Sequence, residues 1–276
     1  MNVFDHNRRA WDLESRGGSR WCVPVDSETI ARARRGDWHV VLTPDKPVPR
    51  SWFADLAGLR VLCLASGGGQ QAPVLAAAGA VVTSLDASAE QLAKDHLVAN
   101  REGLDLRCVI GDMCDLSVFA DAAFDLIFHP CSNLFVADVM PVWRECARVL
   151  RPGGALLAGF MNPAYFLFDH DDALRSGELR VVYPQPFSDL VHAGEGRVRD
   201  RITRDEALVF GHTLEQQIGG QLRAGFALED LYEDGWIVEA TPLDRYTTTS
   251  IATRAVRRAR MLATTSSSES RGWNEP

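Results

Sequence analysis

The stretch "RVLCLASGGGQQAP", residues 60–73, limits what this chain can fold into more than any other. A short apolar run enters three consecutive glycines, and a helix-forming segment follows at once. Glycine lets another molecule approach the backbone closely, and a helix N-terminus presents unpaired N–H groups. A tight turn that held no ligand would be an entropically costly use of three glycines. The turn therefore reads as one that a ligand sits against.

Such a turn needs a sheet, and the middle of the chain supplies one by alternating short apolar runs with longer amphipathic ones, the signature of β-α-β units. "VLCLA" is the first strand. A helix runs from Gln70 to Ala78, with Pro73 in its first turn and Gly79 ending it. "AVVTSLD" is the second strand, and Ser88 with Gln91 forms a capping box that opens a helix to about Arg101. "LRCVI" and "FDLIFH" are the third and fourth strands. A helix from about Val139 to Leu150 leads through "RPGG" to the fifth, "ALLAGF". Thr213 and Gln216 make a second capping box, Gly225 stops that helix, and "FALEDLY" and "TTTSIATRAV" are two further strands.

The expected organisation is one domain over residues 1–263, followed by a tail, 264–276, too poor in apolar residues to order itself. Within the domain, residues 1–55 form an irregular helical cap and 56–162 the ligand-binding core. Residues 163–205 are an insertion over a second site, and 206–263 are the closing helix and hairpin. Trp11, Trp21 and Trp52 in the cap are read as packing residues that could also serve as a lid.

Composition, 46% hydrophobic and 24% charged, is that of an ordinary globular protein. No apolar run is long enough to span a membrane and no secretory signal opens the chain, so a cytoplasmic protein without a membrane partner is expected. The formal charge of −8 argues against a nucleic-acid partner. Arg254, Arg257, Arg258 and Arg260 are read as a solvated face. Six cysteines without a Cys-x-x-Cys spacing, several of them in apolar runs, indicate neither zinc nor disulfides.

Two ligands fit the glycine turn. "GGGQQA", residues 67–72, matches the G-x-G-x-x-[GA] template of a dinucleotide-binding turn, and Asp86 at the end of the next strand could take two hydrogen bonds from a ribose diol. Later features separate the possibilities: "GDM" at 111–113 with Asp115 beyond it, "HPCSN" after the fourth strand, and "RVLRPGGALL" before the fifth. That ordered set resembles the class I S-adenosylmethionine-dependent methyltransferases, especially the group containing ubiquinone-biosynthesis and small-molecule methyltransferases. The resemblance covers about residues 58–161 and extends to the last two strands, where that family adds an antiparallel hairpin.

The resemblance implies a Rossmann-like α/β fold, doubly wound, with seven strands that are mostly parallel. It implies S-adenosylmethionine as cofactor, with Ala65, Ser66, Gly67, Gly69 and Gln70 facing the methionine part. Asp86, with Ala87 and Gln91 beside it, would hold the ribose, Asp112 the adenine amino group, and the Met113 backbone the adenine ring. The commonest family pattern, D-x-G-x-G-x-G, has an acid within the first strand. Here Cys63 stands in that place, which leaves the methionine amino group to a side-chain carbonyl of Gln70 or Gln71. A nicotinamide oxidoreductase is the alternative from another class, although its fold would not call for "GDM" or "RVLRPGG". A cofactor binder without activity is a third reading. An RNA or protein methyltransferase is disfavoured by the acidic charge and the lack of a separate basic domain.

A sulfonium methyl is already activated, so its transfer needs alignment above all, and a general base only if the nucleophile must lose a proton. The expected acceptor is a small molecule. His129 follows the fourth strand at the carboxyl edge of the sheet, where open α/β folds place their ligands, and is the first candidate base as well as a cofactor neighbour. His212 is the next candidate base. Asn133, Tyr165 and His170 are candidate acceptor contacts, and no metal ligands are expected.

Overall fold

A computed structural model describes residues 2–192, 194–237 and 239–259. Seven strands make the main sheet: β1 (Arg60–Leu64), β2 (Val81–Asp86), β3 (Leu106–Ile110), β4 (Phe124–His129), β5 (Leu150–Met161), β6 (Phe226–Asp234) and β7 (Ser250–Arg257). Their order is β3-β2-β1-β4-β5-β7-β6. The first five are parallel, and β7 runs antiparallel to both β5 and β6. The chain steps outward from β1 to β3, then returns to β4 on the other side of β1, so the switch in winding falls between β1 and β4.

Each face of the sheet has its own core. Helices α1 (Val3–Arg16), α2 (Ser27–Arg34), α3 (Gln71–Ala77) and α4 (Ala89–Glu102) precede or connect the first three strands, and α5 (Met140–Val149) connects β4 to β5. Val61, Cys63, Val82 and Phe128 pack with α2, α3 and α4 residues on one face. Leu62, Leu64, Leu85 and Ile127 pack with Trp143 and Cys146 of α5 on the other. At the amino edge the Asp125 carboxylate accepts from the Arg60 backbone N–H (3.0 Å) and guanidinium (2.9 and 3.0 Å) and from Arg151 (2.6 Å), joining β1, β4 and β5. Those donors hold its carboxyl well below the usual range.

Several local expectations are corrected. The cap is more regular than its composition suggests, with two α-helices. In α1, Asn7 donates to the carbonyls of Phe135 (2.9 Å) and Leu208 (3.0 Å) and accepts the Leu208 N–H (2.8 Å). "RPGG" belongs to β5, where a register break opposite Phe124–Leu126 absorbs the extra residues and Gly153 takes a positive φ. Ser88 caps α4 through the Gln91 N–H, but its own N–H goes to Asp86 rather than to the Gln91 side chain, so that box is half formed. At Thr213 and Gln216 both halves are present, and the helix begins as a π turn before α-geometry at 220–223. Arg254 bonds Glu229 and the Trp52 carbonyl, and Arg257 the Leu150 carbonyl, so these two arginines tie strands and cap together instead of forming a solvated face. Arg260 and the 264–276 tail lie outside the described residues.

Leu42 of the cap crosses the carboxyl half of β5 at very close range. A Cβ on Gly159 would stand 2.1 Å from the Leu42 carbonyl oxygen, which accepts the Cys131 N–H at 3.0 Å. Gly159→Ala should therefore cost roughly 1–3 kcal/mol or more, as overpacking does. Denaturant unfolding measures it, and an unchanged midpoint would show that the crossing is not tight.

Candidate active site

The glycine turn joins β1 to α3 at the switch point, and its amides are already engaged. Gly67 N–H donates to Asp86 (3.0 Å), Gly68 N–H to the Gln91 carbonyl (3.0 Å), and Gly69 N–H to Asp95 of α4 (2.8 Å). The glycines are required mainly by the protein's own packing. A Cβ on Gly67 would lie 2.7 Å from the Gln91 Cβ, one on Gly68 2.7 Å from the Trp21 carbonyl, and one on Gly69 2.9 Å from both Pro24 and the Lys94 carbonyl. Gly69 thus packs behind the turn, which corrects the expectation that it faces a ligand. Ala65, Ser66, Gly67 and Gln70 form the exposed side of the turn, with Ala65 itself at a positive φ of 48°.

A cavity of about 660 Å³ starts at that exposed side. Asp86 lines it, accepting Gly67 N–H on one oxygen and Ser88 N–H (2.9 Å) on the other. Burial pushes its carboxyl up to about 6 against the pull of those N–H bonds. Ala87 and Gln91 adjoin it, and Asp112 and Met113 stand farther along the wall, with Asp112 accepting the Cys114 N–H at 2.8 Å. Ser66 and Gln91 belong to the same wall, and Ser66 Oγ and Gln91 Oε1 are buried behind it without a hydrogen-bond partner. Two carboxylates on one wall suit a ligand rich in hydroxyl and amino groups, as an adenosyl group with a methionine tail is. Gln70 donates its amide to the Arg20 (2.9 Å) and Val23 (3.1 Å) carbonyls, whereas the Gln71 carbonyl is taken by Val41 N–H (3.0 Å). Of the two side-chain carbonyls proposed for the methionine amino group, only that of Gln70 is open.

The cavity continues under α1 to residues of the 163–209 segment. Phe4 and Trp11 come from α1, Phe135 follows β4, and Tyr165, Phe166 and Phe187 come from beyond β5. His170 lies here, stacked on Tyr165 with ring centroids 3.8 Å apart. Its Nε2–H donates to the Tyr165 carbonyl (2.7 Å), which leaves Nδ1 as a lone pair without a partner, and burial lowers its pKa. Sequence reasoning missed Asp189 and Arg197 at this end. Asp189 is fully buried, with one oxygen on Val209 N–H (2.8 Å) and the other without a partner. Arg197 is held by Asp169 and the Tyr183 hydroxyl. Their signal was faint, two separate charged residues in a stretch without a period.

Three expected site residues are not in this cavity. His129 is still part of β4, paired with Ala158, so its side chain enters the face beneath α5 instead of passing over the edge. It is fully buried, its Nδ1 is 2.9 Å from the Leu64 carbonyl, and its ring meets Trp143 edge-on. Asn133 is buried in a reciprocal amide pair with Gln217 (3.0 and 3.3 Å), and His212 Nε2 lies 3.2 Å from the Asn133 carbonyl. These three hold the structure together behind the site.

Residues 62–158 match a family described as "Methyltransferase domain". The uncharacterized methyltransferase YbaJ of Bacillus subtilis is 49% identical over 253 residues, covering 91% of this chain and 97% of that protein. A ubiquinone biosynthesis O-methyltransferase of Xanthomonas oryzae is 35% identical over 118 residues, 41% of this chain and 48% of that one. Among solved structures, an S-adenosylmethionine-dependent methyltransferase from Mesorhizobium loti superposes with a TM-score of 0.57 at 19% identity, covering 75% of this chain and 95% of that one, and shares the fold.

His129 carries a stability signature. Burial pushes its pKa down to about 4 from an ordinary 6.5, so the unfolded chain binds a proton that the folded one refuses between those values. Its contribution is complete above pH 6.5 and is lost as the pH falls toward 4, on the order of 3 kcal/mol. Asn at this position can still donate to Leu64. His129→Asn should therefore lower stability at neutral pH, remove this part of the acid slope, and leave turnover of the folded enzyme unchanged. Parallel unfolding and activity measurements decide it, and a variant that folds normally but turns over a hundredfold more slowly would return His129 to the chemistry.

Proposed function

The chain belongs to the class I S-adenosylmethionine-dependent methyltransferases, and from that premise we propose that it methylates a small molecule with an apolar, aromatic-sized body. A nicotinamide oxidoreductase and an inactive binder fall with the family assignment. The observation that carries the acceptor class is the cavity that begins at the glycine turn. Its volume of about 660 Å³ lies in the range of small-molecule sites, and its far half is walled by the rings of Phe4, Trp11, Phe135, Phe166 and Phe187, with His170, Asp189 and Arg197 among them.

When bound, the cofactor supplies an activated sulfonium methyl for in-line displacement. The proposed roles of the chain's own residues follow from their places on the wall. Asp86 accepts from the ribose hydroxyls and Asp112 from the adenine amino group, while Ser66 and Gln91 shape the wall between the turn and Asp86. Tyr165, Phe166 and Phe187 bury the acceptor body and exclude water, which aligns it for transfer. His170 replaces His129 and His212 as proton acceptor. The Tyr165 carbonyl fixes its tautomer with Nδ1 bare, and burial keeps the ring neutral.

Asp86→Ala should weaken S-adenosylhomocysteine binding by roughly 1.5–3 kcal/mol, the range for hydrogen bonds to a charged group, and Asp112→Asn by less because an amide oxygen still accepts. Calorimetric titration reads both, and equal, negligible losses would place the adenosyl group elsewhere. The acceptor class is tested by supplying labelled methyl donor with a panel of small phenols, thiols and amines alongside RNA and protein fractions. Label appearing only in a macromolecular fraction would overturn the small-molecule reading. For an acceptor that must lose a proton, His170→Gln should lower kcat about a hundredfold or more and flatten its acid limb. An unaltered pH profile would remove His170 from that role.

A further inference from the structure

Two of the three turn amides are held by groups flanking the β2–α4 junction, Asp86 and the Gln91 carbonyl. The third is held by Asp95, a side chain with no exposed surface in the second turn of α4. One Asp95 oxygen accepts Gly69 N–H at 2.8 Å and the other accepts the Ser84 hydroxyl at 2.7 Å. Ser84 is in register with Cys63 of β1, and paired residues on neighbouring strands point to the same face. The carboxylate therefore stands over the Cys63–Ser84 row. Cys63 is fully buried, and burial together with the Asp95 charge pushes its thiol well above the usual range. The first strand thus has a small neutral side chain where the commonest family pattern has an acid, and a carboxylate reaches the same turn from a helix.

A carboxylate buried with only a hydroxyl and an amide as donors is expensive to keep in a core. Around it lie Ser84 and Asp86 of β2, Cys63 of β1 and Cys108 of β3. Burial and the Asp86 charge push its carboxyl up to about 7, against the Ser84 and Gly69 bonds. Asp95 does not line the cavity, whereas Gln70, the residue after Gly69, does. Its effect on a ligand must pass through the turn. Without it, Gly69 N–H and the Ser84 hydroxyl would be left buried and unpaired, and the turn would lose one of its three rear attachments, the one next to Gln70.

We infer that Asp95 is the positioning residue that holds the cofactor turn in its binding shape, anchoring it from α4 through Gly69. The test is calorimetric titration of the full chain with S-adenosylhomocysteine between pH 6 and 8. Asp95→Ala should weaken binding roughly ten- to a hundredfold. Asp95→Asn should weaken it less than about threefold at neutral pH, because the amide oxygen can accept Gly69 N–H and the amide nitrogen can donate to Ser84. The ionised carboxylate is the stronger acceptor, so wild-type affinity should rise as the pH passes through about 7. The Asn variant should lack that rise and keep only the lower titration of Asp86. A residue that merely stabilises the fold would lower the Tm and move neither affinity nor its pH profile. Wild-type affinity in folded Asp95→Ala would overturn the inference. Should the Ala variant fail to fold, the Asn variant decides, and a pH profile superimposable on wild type would overturn the inference equally.

Discussion

Three backbone N–H groups at the end of β1 each find an acceptor on the unit formed by β2 and α4, and the position of everything else around the cavity follows from that attachment. The turn is not a loose loop that a ligand organises. Its amides are satisfied in advance, and a ligand meets the outer side of a structure fixed from behind. The same carboxylate that anchors Gly67, Asp86, also faces the cavity, so the group that shapes the turn is one of those that would read the ribose.

Most of the core was legible because βαβ units are local. The apolar runs, the Ser88 cap and Gly79 lie within a few residues of the elements they bound, and their physics acts over that same distance. His129 misled for a definite reason. Strands buried on both faces show no alternation, so nothing in "FDLIFH" tells that Ile127 and His129 share the α5 face while Phe128 takes the other. One further residue of β4 pairing with Ala158 is enough to turn the imidazole from the edge into the core.

The far side of the cavity was less legible because its contacts span the chain. Asn7 bonds Leu208 across 201 positions, and Trp11 meets the Phe135 ring edge-on at 5.1 Å. No period or spacing encodes such pairings. Gly69 shows the converse limit: its residue type was recognised, but the neighbour that required it, Pro24, comes from the cap. A glycine in a turn signals that something is close without telling whether it is ligand or protein.

On the proposed function, the cavity holds the cofactor at the glycine turn and leaves its aromatic end for a small acceptor. A crystal structure grown with S-adenosylhomocysteine tests it most directly. The account predicts ribose density at Asp86, adenine beside Asp112 and Met113, and a chamber still open between Tyr165, Phe187 and His170. Adenosyl density filling that chamber, or lying away from Asp86, would contradict it.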